Sequence, residues 1–509
     1  MQKTNSIHKR CGVKIYDSLS GIKQNLPNNR PIRLFVCGPT VYDFPHLGHA
    51  RTYIAFDTIA RYLRSQKIKI SYLQNITDVD DKIIERAKEQ SISPIELASQ
   101  FEREYHTFEK ILHIKGIKYA KATKHIPQII KQIQTLIKKG HAYKIDDDGY
   151  YFDISTFPEY GRLSKRTILQ AEDATSRIDE SINKRNRGDF VLWKFPADKS
   201  LTQGCIRDEN IPELKNNKKI AFKIVLGEPL WRVSLGWGRP GWHIEDTAIT
   251  EHYFGPQYDI HGGGVDLKFP HHEAEITQQE SASGKKPMVK IWMHAGFLLI
   301  NGKKMSKSLK NFITINDFIE KYPPETLRLL INQSHYRSPF NYMELSADQA
   351  NNTLKKIQKI LAILSIINPR TQSLGEGVKQ KGPINVEIKK SLDLAELNFK
   401  EAMDDDFNTP KALASIFELI NTMEPKIWKL NKNEAVTIKK FLVKKMEIFL
   451  GIALKTPKIP LNIAKLARER ELCRTHKQFT QSDLLRNKIE GLGYIVEDMP
   501  IGQLVTKKV

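Results

Sequence analysis

Two histidines three residues apart, in His46-Leu-Gly-His49, stand between an apolar run and an amphipathic run. Imidazoles so placed can donate hydrogen bonds to phosphate oxygens as charge shifts in a transfer reaction. A helix beginning there adds free N–H groups and the positive end of a dipole. Gly48 leaves room for a ligand to approach the backbone. Far along the chain, Lys303 and the stretch Lys304-Met-Ser-Lys-Ser308 crowd three lysines, 303, 304 and 307, among small neighbours. Ammonium groups on long stems are movable point charges, which suit a departing pyrophosphate. Together the two segments describe a site that grips a nucleoside triphosphate from both sides. Each alone has a plainer reading: two capping or core histidines after a strand, and a solvated basic loop.

A third group could hold a metal. Phe269-Pro270 leads into a helix-like stretch, which puts His271 and Glu275 four apart on one face. An imidazole and a carboxylate at that spacing can share one ion. Cys37 leaves the end of the first strand on the same rim. Without Cys37, His271 and Glu275 would read as an ordinary helix-face pair.

These residues need elements to position them. Ile32, Leu34 and Val36 alternate with Arg33, Phe35 and Cys37, which is strand periodicity. Gly38-Pro39 ends that strand. Tyr53, Phe56, Ala60 and Leu63 recur at helical spacing and predict a helix from near Gly48. Residues from about 30 to 90 thus read as strand–helix–strand–helix, half of a doubly wound nucleotide fold. A helix with Ile126, Ile129, Ile130, Ile133 and Leu136 on one face follows, then a hairpin over His141–Ile154. The sheet is expected to resume at Asp189–Lys194. Met293–Ile300 reads as one strand closed by an Asn301-Gly302 turn. A helix is expected over Leu309–Tyr322, with helical segments on to Asn368. Pro369–Asn385 is polar and reads as a linker. Thr409-Pro410 then starts a helix as cap and first residue, with Ala412, Ile416 and Ile420 on its buried face.

The chain has 509 residues, enough for roughly three or four domains by length alone. With 80 basic and 58 acidic residues it carries a net charge of +22, which suits a polyanionic partner but does not by itself establish one. Four cysteines without a Cys-x-x-Cys pair predict a reduced, cytoplasmic protein and not a disulfide scaffold. No run of about 18 apolar residues is present, so no membrane helix is expected. Met1–Arg10 is polar, which predicts no secretory signal.

The motifs in order resemble a family. His46-Leu-Gly-His49 and Lys304-Met-Ser-Lys-Ser308 are similar to the two signatures of class I aminoacyl-tRNA synthetases. Cys37-Gly-Pro-Thr-Val-Tyr-Asp43, Asn75-Ile-Thr-Asp-Val-Asp-Asp-Lys82, Gly238-Arg-Pro-Gly-Trp-His-Ile-Glu245, Asp259-Ile-His-Gly-Gly-Gly264 and Phe269-Pro-His-His-Glu273 narrow the resemblance to the cysteinyl-tRNA synthetases. The resemblance runs from near Cys11 to near Pro500. It implies an α/β chain: a Rossmann-like, doubly wound parallel-sheet catalytic domain over 1–320 with an insertion at about 95–185. A helical junction (321–368), the linker (369–385), a helical anticodon-binding domain (386–455) and a small C-terminal domain (456–509) would follow.

The resemblance also implies an activity: ATP-dependent ligation of L-cysteine to tRNA(Cys) through a cysteinyl adenylate, by a cytoplasmic monomer with no membrane partner. His46, His49, Lys304 and Lys307 would be catalytic. Gly48, His49, Gly262, Gly263, Asp266 and Lys307 would bind ATP with its Mg²⁺, and Thr77 and Trp242 would line the amino-acid pocket. One zinc ion would be held by Cys37, His271 and Glu275, with Asp246 as fourth ligand in the place of the family's second cysteine; the alternative is a weak or absent metal with Asp246 only hydrogen-bonded.

Three departures from the family pattern stand out. Asp246 occupies the place of a second cysteine ligand. About 25 extra residues lie between 197 and 227, a length that points to a surface loop. The C-terminus, Met499-Pro-Ile-Gly-Gln-Leu-Val505, lacks the family's tryptophan. Two rival functions remain: a cysteine ligase with a small amine acceptor, and a non-catalytic RNA-binding paralogue. Residues 386–509 speak against the first, and the two intact signatures against the second.

Overall fold

The computed structural model describes residues 12–26, 31–166, 183–197, 220–306, 309–367, 382–454, 459–500 and 502–507. Two compact units divide the chain. The first takes in residues up to Lys321 with His335–Tyr342 and Asp404–Phe407; the second takes in Tyr322–Ser334, Met343–Met403 and the chain from Asn408 onward.

The first unit is built on a five-stranded parallel sheet. Its order is Val289–Ala295, Tyr258–Gly264, Ile32–Val36, Ile70–Ile76, Lys118–Lys121. The strand Ile32–Val36 lies at the centre, and Ile32, Leu34, Phe35 and Val36 are all fully buried. Helices cover both faces of such a sheet, so its central strand is apolar on both sides and Phe35 is as buried as its neighbours. Helix Leu47–Ser65 follows that strand, and helices Trp242–Phe254 and His271–Ser283 flank Tyr258–Gly264 in the chain.

A second, six-stranded antiparallel sheet carries the hairpin Ala142–Ile145/Gly149–Phe152. The expected resumption of the parallel sheet at 189–194 is corrected here. Phe190–Lys194 pairs with Gly149–Phe152 on one side and Gly236–Pro240 on the other. Gly149 and Gly238 lie directly against the Trp193–Lys194 backbone, where no Cβ fits. That close approach recruits the strand into this sheet. The sheet ends on Glu228–Val233 and the edge strand Ala221–Val225. Part of the expected 197–227 loop is therefore a strand; 198–219, with Cys205, lie outside the described residues, as does Cys11.

The single strand expected over Met293–Ile300 is two. Val289–Ala295 belongs to the parallel sheet, while Leu298–Ile300 pairs with Lys303–Lys304 and Phe340–Tyr342. Gly296 breaks the run because it lies against the carbonyls of Arg337 and Ser338. Asn301 and Gly302 take φ of 49° and 77°, the left-handed pair a tight hairpin turn requires. The helix expected from Leu309 is shorter, Ile315–Lys321. Thr314 and Asp317 cap it reciprocally, at 2.8 and 3.1 Å.

The second unit is helical: Pro324–Asn332, Glu344–Ile366, Val386–Asp404, Thr409–Met423 and Lys432–Val443. Asn408, not Thr409, caps the helix that carries Ala412, Ile416 and Ile420; its side chain accepts from the Lys411 N–H. Residues 368–381, most of the expected linker, lie outside the described residues. Helices Leu461–Thr475 and Phe479–Gly491 and the hairpin Tyr494–Met499/Gly502–Lys507 enclose a small core of Ile463, Ala467, Ile489 and Val496. No helix among the described residues is long and apolar enough to cross a membrane.

Candidate active site and metal centre

His46 caps helix Leu47–Ser65. Its Nδ1 accepts from the N–H groups of Gly48 and His49 at 3.1 and 3.4 Å, while His49 Nδ1 accepts from the His46 N–H at 3.3 Å. This is a capping box built from two imidazoles. Because both Nδ1 atoms accept, each ring carries its proton on Nε2. The rings stack at 3.8 Å. Burial, and then the neighbouring His46, hold His49 well below the usual histidine range, so it is neutral. A side chain on Gly48 would strike the His46 ring.

These residues line a cavity of about 380 Å³ at the end of the central strand, together with Cys37–Thr40, Lys82, Trp242, Gly264, Asp266, Gly296, Lys304 and Met305. The arm after Lys304 is tied to the histidine cap: Leu47 N–H donates to Ile313 O and Ile315 N–H to Pro45 O, at 3.1 and 3.0 Å. Lys304 is exposed at the cavity wall. Lys307 lies outside the described residues.

Thr77 does not line the cavity. It sits behind it in a chain of hydrogen bonds: Gly38 N–H to Asn75 Oδ1 (2.5 Å), Asn75 Nδ2 to Thr77 Oγ1 (3.2 Å), Thr77 Oγ1 to Glu245 Oε2 (3.0 Å). Burial, and then the carboxylates of Asp246, Asp78 and Asp80, push Glu245 well above the carboxylate range. Gly262 and Gly263 also lie off the cavity. Gly262 faces the Phe56 ring and Gly263 the His272 ring, each too close for a Cβ.

Cys37, Asp246, His271 and Glu275 are all buried, and their donor atoms lie within 4.8 Å of one another. His271 Nε2 is 3.1 Å from Asp246 Oδ2 and 3.0 Å from Glu275 Oε1; Cys37 Sγ is 3.9 Å from Glu275 Oε1. Trp242 stacks on His271 at 4.1 Å, which joins this centre to the cavity wall. Asp246 Oδ1 has no hydrogen-bond partner, and Glu275 Oε2 forms no hydrogen bond although His261 Nε2 stands 3.3 Å away. Two buried carboxylates with orphaned oxygens beside a thiol are costly without a cation. Burial, Glu275 and Asp246 raise the Cys37 thiol; burial raises Glu275 to about 8 against the pull of His271; and His271 reaches about 9, since the two carboxylates outweigh its burial. One sulfur, one nitrogen and two oxygens in this space fit zinc.

Sequence reasoning missed His261 and His272, which also face Cys37, at 3.2 and 3.1 Å. The strand parity of Asp259–Gly264 was the available signal. His261 and Gly263 share the face opposite Ile260 and Gly262.

The model for the tRNA synthetases class I (C) catalytic domain matches residues 23–203 and 206–352, and that for the DALR domain matches 398–455. A cysteine–tRNA ligase from Caldicellulosiruptor saccharolyticus is 38% identical over 504 residues, 97% of this chain and all of that protein. One from Thermococcus gammatolerans is also 38% identical, over 96% of this chain and 98% of the relative. Among solved structures, the agnB2 LeuRS of Agrobacterium radiobacter K84 in its tRNA–LeuAMS complex aligns over 84% of each chain, with TM-score 0.61 and 11% identity. Mycobacterium tuberculosis methionyl-tRNA synthetase with methionyl-adenylate aligns over 82% of this chain and 90% of its own, with TM-score 0.54 and 14% identity. At such identities these two show the fold alone.

Proposed function

Because the chain belongs to the cysteine–tRNA ligase family, and so charges tRNA with cysteine at the expense of ATP, we propose that its cavity forms a cysteinyl adenylate beside a zinc centre of Cys37, Asp246, His271 and Glu275. The observation that carries this reading is the two-histidine cap, which lines the same cavity as Cys37 and Trp242.

ATP lays its phosphates at the N-terminus of helix Leu47–Ser65, against Gly48. A carboxylate oxygen of cysteine attacks the α-phosphorus, and the bond from that phosphorus to the oxygen bridging to the β-phosphate breaks. The Nε2–H groups of His46 and His49 donate to the α-phosphate oxygens as negative charge builds there. Lys304 and Lys307 meet the charge of the leaving pyrophosphate with its Mg²⁺. A ribose hydroxyl at the tRNA 3′ end then attacks the adenylate carbonyl; AMP departs and the hydroxyl proton is released. Trp242 closes the amino-acid side of the cavity, and Asp266 faces the adenosine. Asn75, Thr77 and Glu245 act from behind, holding the Cys37–Thr40 turn in place.

When bound, zinc would take the substrate sulfur as a further ligand, preferring a soft thiolate to the hydroxyl of serine. Cysteine and serine are near isosteres, which apolar contacts separate poorly. The domain from about 386 to the C-terminus reads the anticodon region of tRNA(Cys), and the enzyme works as a cytoplasmic monomer.

Cysteine-dependent ATP–pyrophosphate exchange, with zinc bound and with zinc stripped, tests the reading. Exchange with cysteine and not serine is expected, and stripping should abolish that preference. Equal exchange with serine in the zinc-loaded enzyme would refute the zinc assignment.

A further inference from the structure

Three imidazoles, those of His261, His271 and His272, contact the Cys37–Glu275 pair, and the proposed zinc set uses only one of them. Cys37 Sγ lies 3.2 Å from His261 Nε2 and 3.1 Å from His272 Nε2, and His261 Nε2 lies 3.3 Å from Glu275 Oε2. The donor atoms of Cys37, His261, His272 and Glu275 are all within 4.8 Å of one another, and all four residues are buried. In a tetrahedral site with bonds of about 2.0–2.3 Å, neighbouring donors stand about 3.3–3.8 Å apart. These separations reach that range with shifts of a few tenths of an ångström. We infer that Cys37, His261, His272 and Glu275 form a second seat for the same metal ion, alternative to the seat that uses Asp246 and His271. The inference rests on the zinc reading above.

Two further observations support it. The outward nitrogens of both rings are already held: His261 Nδ1 by Tyr258 Oη at 2.6 Å, and His272 Nδ1 by His294 Nε2 at 2.9 Å. Ligating histidines are held in this way, with the second nitrogen fixed by an outer partner and the first turned to the metal. Glu275 also offers a different oxygen to each seat, Oε1 towards His271 and Oε2 towards His261. A small displacement of the ion therefore exchanges Asp246 and His271 for His261 and His272 while Cys37 and Glu275 remain. Since those two are shared, one chain holds one ion.

The seats differ in charge. The first provides a thiolate, two carboxylates and one imidazole, leaving a net negative centre around a divalent ion. The second provides a thiolate, one carboxylate and two imidazoles, which balances the ion. Borderline-soft zinc gains a nitrogen donor in place of an oxygen. The second seat retains the metal where Asp246 contributes nothing; the first presents it beside His271 and Trp242, on the cavity side. Loss of Asp246 should then separate two properties that a single seat would lose together.

The test compares the wild type with Asp246→Ala, Asp246→Asn and Asp246→Ala/His272→Asn. Zinc content and affinity are measured by mass spectrometry and chelator competition, and the imidazole count by zinc X-ray absorption. Cysteine and serine exchange and thermal melting are followed in parallel. The Asp246 variants should keep one zinc per chain, with the imidazole count rising from one to two and the preference for cysteine falling. Adding His272→Asn should remove a direct ligand of the second seat and abolish stoichiometric zinc binding, a larger loss than the roughly 10–100-fold that an outer partner gives. Asp246→Asn keeps the side-chain shape and serves if the alanine variant does not fold. A wild type without zinc would defeat the zinc reading itself. A zinc-loaded wild type whose Asp246 variants bind zinc as weakly as the double variant would defeat only the second seat. So would an unchanged imidazole count, or two zinc ions per chain.

Discussion

His46 Nδ1 caps the helix, and in the proposed mechanism its other nitrogen, Nε2, has the task of donating to phosphate. The two roles can be separated. Replacing His46 by Ala should cost about 1 kcal/mol of stability, as lost caps do, and slow adenylate formation by roughly 10²–10³-fold. Asparagine caps well but has no donor at the Nε2 position, so His46→Asn should restore the melting temperature and not the rate. Recovery of the rate in the asparagine variant, read by rapid-quench adenylate formation, would show that Nε2 is not the donor. Lys307→Ala should likewise slow adenylate formation and leave cysteine binding almost unchanged, since its charge is needed chiefly as pyrophosphate leaves. An unchanged single-turnover rate would remove Lys307 from the mechanism.

Between residues and fold stand the helices that space the proposed zinc ligands. Asp246 rides on Trp242–Phe254, and His271 and Glu275 ride on His271–Ser283. Gln278 Nε2 donates to Thr247 Oγ1 at 2.9 Å, and Thr247 Oγ1 donates to Gln132 Oε1 at 2.7 Å. Gln132 Nε2 in turn reaches Gln279 Oε1 at 2.6 Å and Glu251 Oε2 at 2.9 Å. Helix Ile126–Lys138 thus braces both helices that carry the proposed zinc ligands through one buried amide. Gln132→Leu strands several buried partners and should destabilise the first unit by about 2–3 kcal/mol. Denaturant melts will measure that loss. A loss under about 0.5 kcal/mol would mean that the partners find other bonds. In the second unit, buried Arg470 holds Asp498 at 2.7 and 2.9 Å. Those bonds keep the Asp498 carboxyl below its usual range. A depressed carboxylate stabilises the fold above its unfolded pKa of about 3.9, and that contribution is lost as pH falls through the lower folded value. Hydrogen exchange across 461–507 should therefore quicken in that acid window, and by a smaller increment in Asp498→Asn.

At the scale of the whole molecule, a net charge of +22 and the handling of a polyanion belong together. The KM for tRNA should rise steeply with salt, because each phosphate contact releases counterions, while cysteine-dependent exchange stays nearly flat. A flat tRNA KM between low and physiological salt would assign the charge no role in charging. Chain division also decides where a truncation can be made. The first unit includes Asp404–Phe407. Asp406 is fully buried there and accepts from Tyr16 N–H (2.9 Å), Tyr336 Oη (2.8 Å) and Arg337 Nε (2.6 Å). Deleting 408–509 should leave exchange largely intact and abolish efficient tRNA charging. Deleting 386–509 should also destabilise the first unit, because those donors lose a buried acceptor. Full-rate charging by either truncated chain would show that the C-terminal region does not read tRNA.

The order and spacing of short motifs were enough to identify the family and its reaction, because those motifs are contiguous stretches that can be read without knowing what packs against them. Local periodicity was likewise enough for the strand at Ile32–Val36, the helix that His46 opens and the hairpin after Gly140. Partnership between distant segments was not legible. Phe190–Lys194 is apolar on both sides, and only the glycines at 149 and 238 assign it to the antiparallel sheet. Met293–Ile300 reads as one strand until the carbonyls of Arg337 and Ser338 meet Gly296. Gly262 and Gly263 are expected to bind ATP only by resemblance, and no pattern in the sequence shows that they also lie against the rings of Phe56 and His272. The crowding of His261 and His272 onto Cys37 joins three segments from two strands and a helix, and a strand's pattern says which faces are apolar but not what packs against them. Folding alone brings those segments together, because burial rewards any close-packed arrangement and backbone sterics select which one is reached.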